Sequence, residues 1–232
     1  MKAATPPTPI EKPASRVALV RLSDTEADLI ADCFKQFKIR TKRIEDDAPA
    51  TLLKEKFEGC VVRLDDPGAE EILQAARGSR SNRAIVLYGI AECIRAAMKF
   101  SRFGINAVLT DPVERANVLK AVRATYLLAL HEFRRYVRVP VAITVTVRAG
   151  GRSVNTMSHE VSSGGMSLES PDLLPGASKV EVSFELPGED RISMPAEICW
   201  RREPSSTLGV RFDLHDARRQ VVRNWIESYV ED

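Results

Sequence analysis

Three arginines lie close together in the segment FRRYVRVPVAI: Arg134, Arg135 and Arg138. An arginine side chain presents a planar fork of N–H donors that binds phosphate, pairs with guanine O6 and N7, or stacks on a base. Several such groups on one short segment can surround a compact polyanion. A solvated turn is the alternative, because most arginine side chains lie at the protein surface.

A second polar segment, EVSSGG, follows further along the chain. Ser162 and Ser163 supply hydroxyl donors, while Gly164 and Gly165 let backbone amides approach a ligand and allow positive φ. The carboxylate of Glu160 would repel phosphate, so we expect it to accept hydrogen bonds from a base edge such as guanine N1 and N2. The two segments together favour a guanine nucleotide over bare phosphate, although SSGG alone is also typical of a hairpin turn.

Both segments resemble motifs of the PilZ domain family. RRYVR is similar to the RxxxR motif, with Arg134 and Arg138 as its arginines, and EVSSGG is similar to the (D/N)xSxxG motif except at Glu160. The likeness continues through SLES, PGASKVEVSFEL, PAEICWRR and LGVRF, over roughly residues 133–232. The resemblance implies a six-stranded antiparallel β-barrel and, as ligand, the bacterial second messenger cyclic di-GMP.

The resemblance also implies a role for each motif residue. Arg134 and Arg138 would clasp the guanines and phosphates, with Arg135 as a helper, and Ser162 and Gly165 would contact the ligand from the barrel. The predicted ligand-binding residues are therefore Arg134, Arg135, Arg138, Glu160, Ser162, Ser163 and Gly165.

Glu160 leaves two functions open. Glutamate keeps the acceptor chemistry of the family's Asp or Asn but is one methylene longer, which displaces a base from a fitted pocket. The first function is a cyclic di-GMP effector, in which ligand held by the RxxxR segment and the barrel changes the domain arrangement and signals to an unidentified partner protein. The second is a PilZ-fold interaction adaptor that no longer binds nucleotide.

The N-terminal half reads as an α/β domain. Strand patterns alternate with helical ones in RVALVRL, KIRTKRI, GCVVRL, RAIVLYGI and INAVLTD, which predicts a parallel sheet covered on both faces. The clearest helices are TEADLIADCFKQF and ECIRAAMKFSRFG, the latter closed by Gly104. We expect a disordered proline-rich tail at residues 1–15 and a five-stranded doubly wound domain at residues 16–130.

The remaining residues, 131–232, read as the alternating strands of an antiparallel sandwich or small barrel, followed by a C-terminal helix. The helix leading into it, VERANVLKAVRATYLLALHEF, has a predicted apolar face of Val118, Leu119, Val122, Tyr126, Leu127 and Leu130. Alternating strands separated by turns follow Pro140. Trp200 on one of them either packs in the core, which we favour, or stacks on a base. The last helix, HDARRQVVRNWIESYVED, is predicted to cover the barrel.

The α/β domain resembles a response-regulator receiver that has lost its phosphoacceptor chemistry. Receivers need an acidic pair, a phosphorylated aspartate, a hydroxyl and a lysine, whereas this chain offers Asp24, Asp65 or Asp66, Gly89 and Asp111 at those positions. An acid in place of the lysine would repel the phosphoryl group. The resemblance implies a pseudo-receiver that docks partners or forms a homodimer through ECIRAAMKFSRFG and VERANVLKAVRATYLLAL. A phosphorylated regulator is the third possible function.

Composition excludes several other classes. A net charge of +2, from 34 basic and 32 acidic residues, argues against binding a nucleic acid polymer. Four scattered cysteines and three histidines predict no metal site and no cofactor, and no catalytic motif predicts an enzyme. No run reaches the roughly 18 apolar residues that span a membrane. With no secretory signal pattern at the N-terminus, we expect a cytoplasmic protein.

Overall fold

A computed structural model describes residues 14–169, 178–202 and 206–231. Two compact units divide the chain between Phe133 and Arg134. Of the predicted proline-rich tail, only Ala14 and Ser15 are within the described residues. No helix in these ranges combines the length and apolar character required to cross a membrane.

The first unit is a five-stranded parallel sheet with helices. Its elements are β1 Arg16–Val20, α1 Asp24–Lys35, β2 Arg40–Ile44, α2 Ala48–Lys54, β3 Gly59–Arg63, α3 Ala69–Gly78, β4 Val86–Ala91, α4 Ile94–Ala97, a 3₁₀ helix Met98–Phe103, β5 Ala107–Thr110 and α5 Arg115–Tyr136. The strand order is β2-β1-β3-β4-β5, the doubly wound order found in receiver domains. The predicted fold class is therefore confirmed for this unit.

Burial and capping explain why these segments form their elements. Nearly every residue of β1, β3 and β4 is buried, because helices cover both faces of the sheet. Ser23 caps α1 by accepting from the Glu26 N–H, while the Glu26 carboxylate accepts from the Ser23 N–H. The hydroxyls of Tyr88 and Thr125 share a 2.6 Å hydrogen bond that attaches α5 to β4.

Two predicted helices differ from the structure. ECIRAAMKFSRFG forms only one α-helical turn and then a 3₁₀ helix, which ends as predicted at a left-handed Gly104. In α5, Leu127 is 74% exposed and not part of the buried face. It follows Val118 by about two and a half turns, so it lies on the opposite side of the helix.

The second unit is a closed six-stranded antiparallel barrel with a short additional strand and a C-terminal helix, as predicted. Its elements are β6 Val139–Pro140, β7 Thr144–Ala149, β8 Arg152–Ser162, β9 Gly165–Glu169, β10 Lys179–Phe184, β11 Ile192–Arg202, β12 Thr207–Phe212 and α6 Arg219–Glu231. The ring runs β8-β7-β10-β11-β12-β9, and pairing of β8 with β9 closes it. The two-residue β6 pairs with β8 outside the ring.

α6 packs an apolar face as its sequence pattern predicts. Val222 and Ile226 are buried, and the indole Nε1 of Trp225 donates to the Pro187 carbonyl at 3.0 Å. Inside the barrel, Phe184 and Phe212 stack with ring centroids 5.9 Å apart. These contacts keep the strands that carry the polar motifs in one arrangement.

Candidate functional site

The pairing of β6 with β8 positions Arg138. Val139 lies opposite Val161 and Pro140 lies opposite Glu160, and both valines are fully buried. Arg138 directly precedes this anchored pair, so its exposed side chain starts beside β8. The register thus brings the second arginine of the RxxxR segment to the first residue of EVSSGG.

Arg138 and Glu160 form an ion pair in this structure. The guanidinium Nη1 donates to Glu160 Oε1 at 2.5 Å, with 58% and 35% of the two side chains exposed. A pair this exposed contributes little net stability. The longer glutamate thus contacts a predicted clasp arginine.

The SSGG segment forms the hairpin between β8 and β9. Ser162 lies opposite Gly165, and its hydroxyl donates to the Gly165 carbonyl at 3.0 Å. A Cβ on Gly165 would lie 2.0 Å from the Val210 carbonyl oxygen, so no larger residue fits there. Neither Gly164 nor Gly165 has a positive φ. In the described ranges, the glycines with positive φ are Gly104, Gly150, Gly151 and Gly188. Gly165 is required by close strand approach instead.

A surface depression of about 270 Å³ collects these residues. Its lining consists of Arg138, Glu160, Ser162, Gly164, Gly165, Met166, Cys199, Trp200, Gly209, Val210 and Arg211. We call it the barrel depression. Of the predicted site residues, Arg134, Arg135 and Ser163 are not in this lining.

Trp200 forms a wall of the barrel depression, although core packing was the favoured interpretation from the sequence. A register shift between Ile198 and Trp200 places Trp200 opposite Gly209. A Cβ on Gly209 would lie 2.2 Å from the indole, so the ring packs directly on the glycine backbone. Trp200 is half-buried, and its interpretation as a core residue is wrong. A glycine opposite a tryptophan on the next strand could have indicated this contact.

Two more arginines lie near this wall. Arg211 lines the barrel depression and donates to Glu197 at 2.6 Å, and this hydrogen bond raises the pKa of Arg211. The Arg202 guanidinium lies 5.0 Å from the Trp200 ring centroid. The barrel depression therefore combines guanidinium groups, one carboxylate and an aromatic ring.

Arg134 and Arg135 lie in the last turn of α5, one turn before Arg138. The Arg134 guanidinium is 3.9 Å from the Glu227 carboxylate on α6. Arg135 is exposed, with its guanidinium 5.5 Å from the Tyr136 ring centroid. The structure therefore separates the arginine cluster into one residue at the barrel depression and two on the helix.

In the receiver-like unit, Arg63 lies beside Asp65 and Asp111, two of the positions that match the phosphoacceptor site of a receiver. It ends β3, and its guanidinium donates to Asp65 at 3.0 Å, to Asp111 at 2.6 Å and to Glu26 at 2.5 Å. The hydrogen bonds to Asp65 and Asp111 raise the pKa of Arg63, and the hydrogen bond from Arg63 lowers the pKa of Asp65. A fixed guanidinium thus neutralises the carboxylates that a metal ion would need. Among the described residues, no three or more His, Cys, Asp or Glu side chains are grouped so that they could hold a metal ion.

The other compared positions also depart from a working phosphoacceptor site. Asp24 begins α1 and pairs with Arg43 at 2.5 Å. Asp66 accepts from the Gly68 N–H at 2.6 Å within a turn. A Cβ on Gly89 would lie 2.6 Å from Leu64 Cδ1, so a hydroxyl residue would require that side chain to move.

A closed antiparallel barrel, preceded by an arginine-bearing helix end and carrying an SSGG hairpin, defines the class of the second unit. Residues 132–232 match the PilZ domain family, and this part of the chain is a PilZ domain. The family is associated with cyclic di-GMP as its ligand. No curated protein matches the chain.

Solved structures resemble each unit at low identity. The Bacillus subtilis inhibitor of motility MotI/DgrA is 19% identical, with a TM-score of 0.35, over 40% of this chain and 49% of that chain, so the match spans about half of that protein. The PilZ domain of CeSA from a cellulose-synthesizing bacterium is 21% identical, with a TM-score of 0.34, over 41% of this chain and 99% of that chain. The chemotaxis response regulator CheY4 of Vibrio cholerae is 14% identical, with a TM-score of 0.44, over 48% and 98%.

The close approach at Gly165 predicts a selective effect of one methyl group. Gly165→Ala places its Cβ against the Val210 carbonyl and should lower the free energy of unfolding by about 3 kcal/mol. Gly164→Ala is the matched control, because its Cβ meets nothing within 4 Å. Urea unfolding measures both variants, and equal losses would contradict the steric explanation.

The Arg63 cluster predicts a pH-dependent loss of stability. Arg63→Met should lower the free energy of unfolding by about 2 kcal/mol at neutral pH, because three carboxylates lose their cation. Arg63 lowers the pKa of Asp65 in the folded state. The stability that the Arg63–Asp65 pair contributes is therefore fully present above the ordinary Asp pKa. That contribution disappears as the pH falls through the lowered pKa. Thermal unfolding from pH 7 to about pH 3 measures the difference.

The control is Arg102→Met, which removes an exposed surface pair with Glu70. Millimolar Mg²⁺ should raise the Tm of Arg63→Met more than that of the unchanged protein, since the carboxylates are then free to bind a cation. A Mg²⁺-dependent Tm already present in the unchanged protein would show that Arg63 does not replace the metal. Incubation with acetyl phosphate and Mg²⁺ should leave the intact mass unchanged.

Proposed function

We propose that the protein is a cyclic di-GMP-binding effector whose site is the barrel depression. The PilZ match supports a cyclic di-GMP-related effector or a PilZ adaptor. The observation that favours the effector is the convergence of Arg138, Ser162 and Gly165 on one depression beside Trp200. Those groups supply a phosphate-binding fork, a hydroxyl, close backbone and a stacking surface.

Binding would exchange one anionic partner of Arg138 for another. In the free protein Arg138 donates to Glu160, and a ligand phosphate accepts the same fork bidentately. Released from Arg138, the Glu160 carboxylate can accept from a guanine edge, as its chemistry suggests. Arg211 and the exposed face of Trp200 lie in the same lining.

The signal would begin in the segment after α5. α5 ends at Tyr136, and Arg138 follows two residues later. A ligand that holds Arg138 restrains this segment, and it favours whichever domain arrangement lets the segment bind. We propose that this changes the arrangement of the two units and that a partner protein recognises the change. Homodimerisation through the receiver-like unit and a cytoplasmic location belong to the same proposal.

One observation favours the alternative, a PilZ-fold adaptor without nucleotide binding. Glu160 already holds Arg138 at 2.5 Å, so any ligand must compete with an intramolecular carboxylate. The adaptor would use its surfaces for protein partners only. PilZ and receiver-like domains are typically non-catalytic, and the absence of enzyme activity stays a prediction.

Titration with cyclic di-GMP by calorimetry tests the proposed function. The unchanged protein should bind with saturation at micromolar ligand or below. Arg138→Met should weaken binding by about 2 kcal/mol, or about thirtyfold, because one charge-assisted hydrogen-bonding group is lost. Arg134→Met tests the other motif arginine in the same way. Arg148→Met is the control, since it removes an exposed arginine of β7 outside the barrel depression.

Two Glu160 variants separate the effector from the adaptor. Glu160→Gln removes the competing charge and keeps an acceptor, so it should strengthen binding of an effector. Glu160→Asp shortens the side chain to the length usual in the family. Absence of saturation for the unchanged protein, with binding gained only in Glu160→Asp, would support the adaptor instead.

Stacking on Trp200 predicts a loss that depends on aromaticity. Trp200→Leu should weaken cyclic di-GMP binding by about tenfold, in line with the usual contribution of base–aromatic stacking. Trp200→Phe keeps a ring and should lose less. Ligand should also change Trp200 fluorescence in a Trp225→Phe background. Equal affinities of Trp200→Leu and the unchanged protein would exclude stacking.

A further inference from the structure

The first residue of α6 contacts the SSGG hairpin. Arg219 Nη2 donates to the Ser163 carbonyl at 3.3 Å, and Nη1 donates to the Leu214 carbonyl at 3.0 Å. Its Nε is buried and has no hydrogen-bond partner among the described residues. In this orientation the guanidinium leaves one buried N–H without a hydrogen bond. Unsatisfied buried N–H groups are rare in proteins, so the two hydrogen bonds that this orientation permits are worth examining for a role.

Holding the Ser163 carbonyl also sets the direction of the next amide. In a planar trans peptide the C=O and the following N–H point in opposite directions, so Arg219 fixes the orientation of the Gly164 N–H. From the other side, the Phe212 N–H donates to the Gly164 carbonyl at 2.9 Å. The peptide groups on both sides of Gly164 are thus held, and Gly164 lines the barrel depression.

The same helix also contacts the other motif. Glu227 on α6 pairs with Arg134, one of the two RxxxR arginines. α6 therefore carries a cation that contacts the hairpin and an anion that contacts the arginine segment. None of the PilZ motif positions includes either residue.

We propose that Arg219 is a positioning residue of the nucleotide site, which holds the hairpin in its ligand-binding conformation from α6. The proposal rests on the proposed function. Arg219 also places a positive charge beside the hairpin, which favours an anionic ligand there. Since α6 contacts both motifs, ligand binding should also alter the protection of α6 against hydrogen exchange.

The experiment compares Arg219→Met and Arg219→Lys with Arg218→Met. Lysine keeps a donor and a charge, whereas methionine keeps only the apolar stem. Arg218→Met is the control, because it removes the same charge at the adjacent residue, whose partner is Asp216. Thermal unfolding first shows which variants remain folded. Hydrogen exchange of residues 163–165 without ligand and calorimetry with cyclic di-GMP follow.

Arg219→Met should speed exchange in the hairpin and weaken binding by about tenfold, as expected when one charged hydrogen bond is lost. Arg219→Lys should recover most of the affinity, and Arg218→Met should bind like the unchanged protein. If Arg219→Met shows normal hairpin exchange and normal affinity, the positioning role of Arg219 is overturned, whereas the proposed nucleotide site stands. Faster exchange in Arg219→Met, with no binding by the unchanged protein, would overturn the nucleotide site while showing that Arg219 holds the hairpin. If Arg218→Met and Arg219→Met lose the same affinity for cyclic di-GMP, the effect arises from the loss of a positive charge near the site, and the proposal is overturned.

Discussion

Pairing of β9 with β12 depends on how closely the two strands approach each other at Gly165. The position where a Cβ would stand is filled by the Val210 carbonyl, so only glycine permits this pairing. The hairpin that ends there carries Ser162, and the strand before it carries Glu160. This steric constraint thus acts on the strand that follows the hairpin, next to the polar groups of the barrel depression.

The ion pairs of the two units differ in number and in exposure. In the receiver-like unit, Arg63 is shared by three carboxylates and only 23% of its side chain is exposed, so the cluster is fixed. In the PilZ domain, Arg138 and Glu160 form one exposed pair, which a stronger anion can displace at little cost. The carboxylates around Arg63 are therefore held more firmly than the single exposed pair in the PilZ domain.

Much of the fold follows from local pattern. Five strand segments, the presence of α1 and the helix end at Gly104 were predictable, because residue periodicity and capping depend on neighbouring residues. The prediction that Leu127 belongs to the buried face of α5 was wrong, because a broad apolar stripe does not indicate which of its residues face the core. The split of ECIRAAMKFSRFG into α and 3₁₀ turns depends on packing that no local pattern contains.

The sequence alone determined the two units, the arginine segment and the hairpin with its unusual glutamate. It could not determine which side chains meet, because partners such as Arg138 and Glu160 are separated along the chain and joined by strand register. A register shift placed Trp200 opposite Gly209, and α6 brought Arg219 to Ser163. These contacts depend on distances across the folded barrel, so only the tertiary structure decided them.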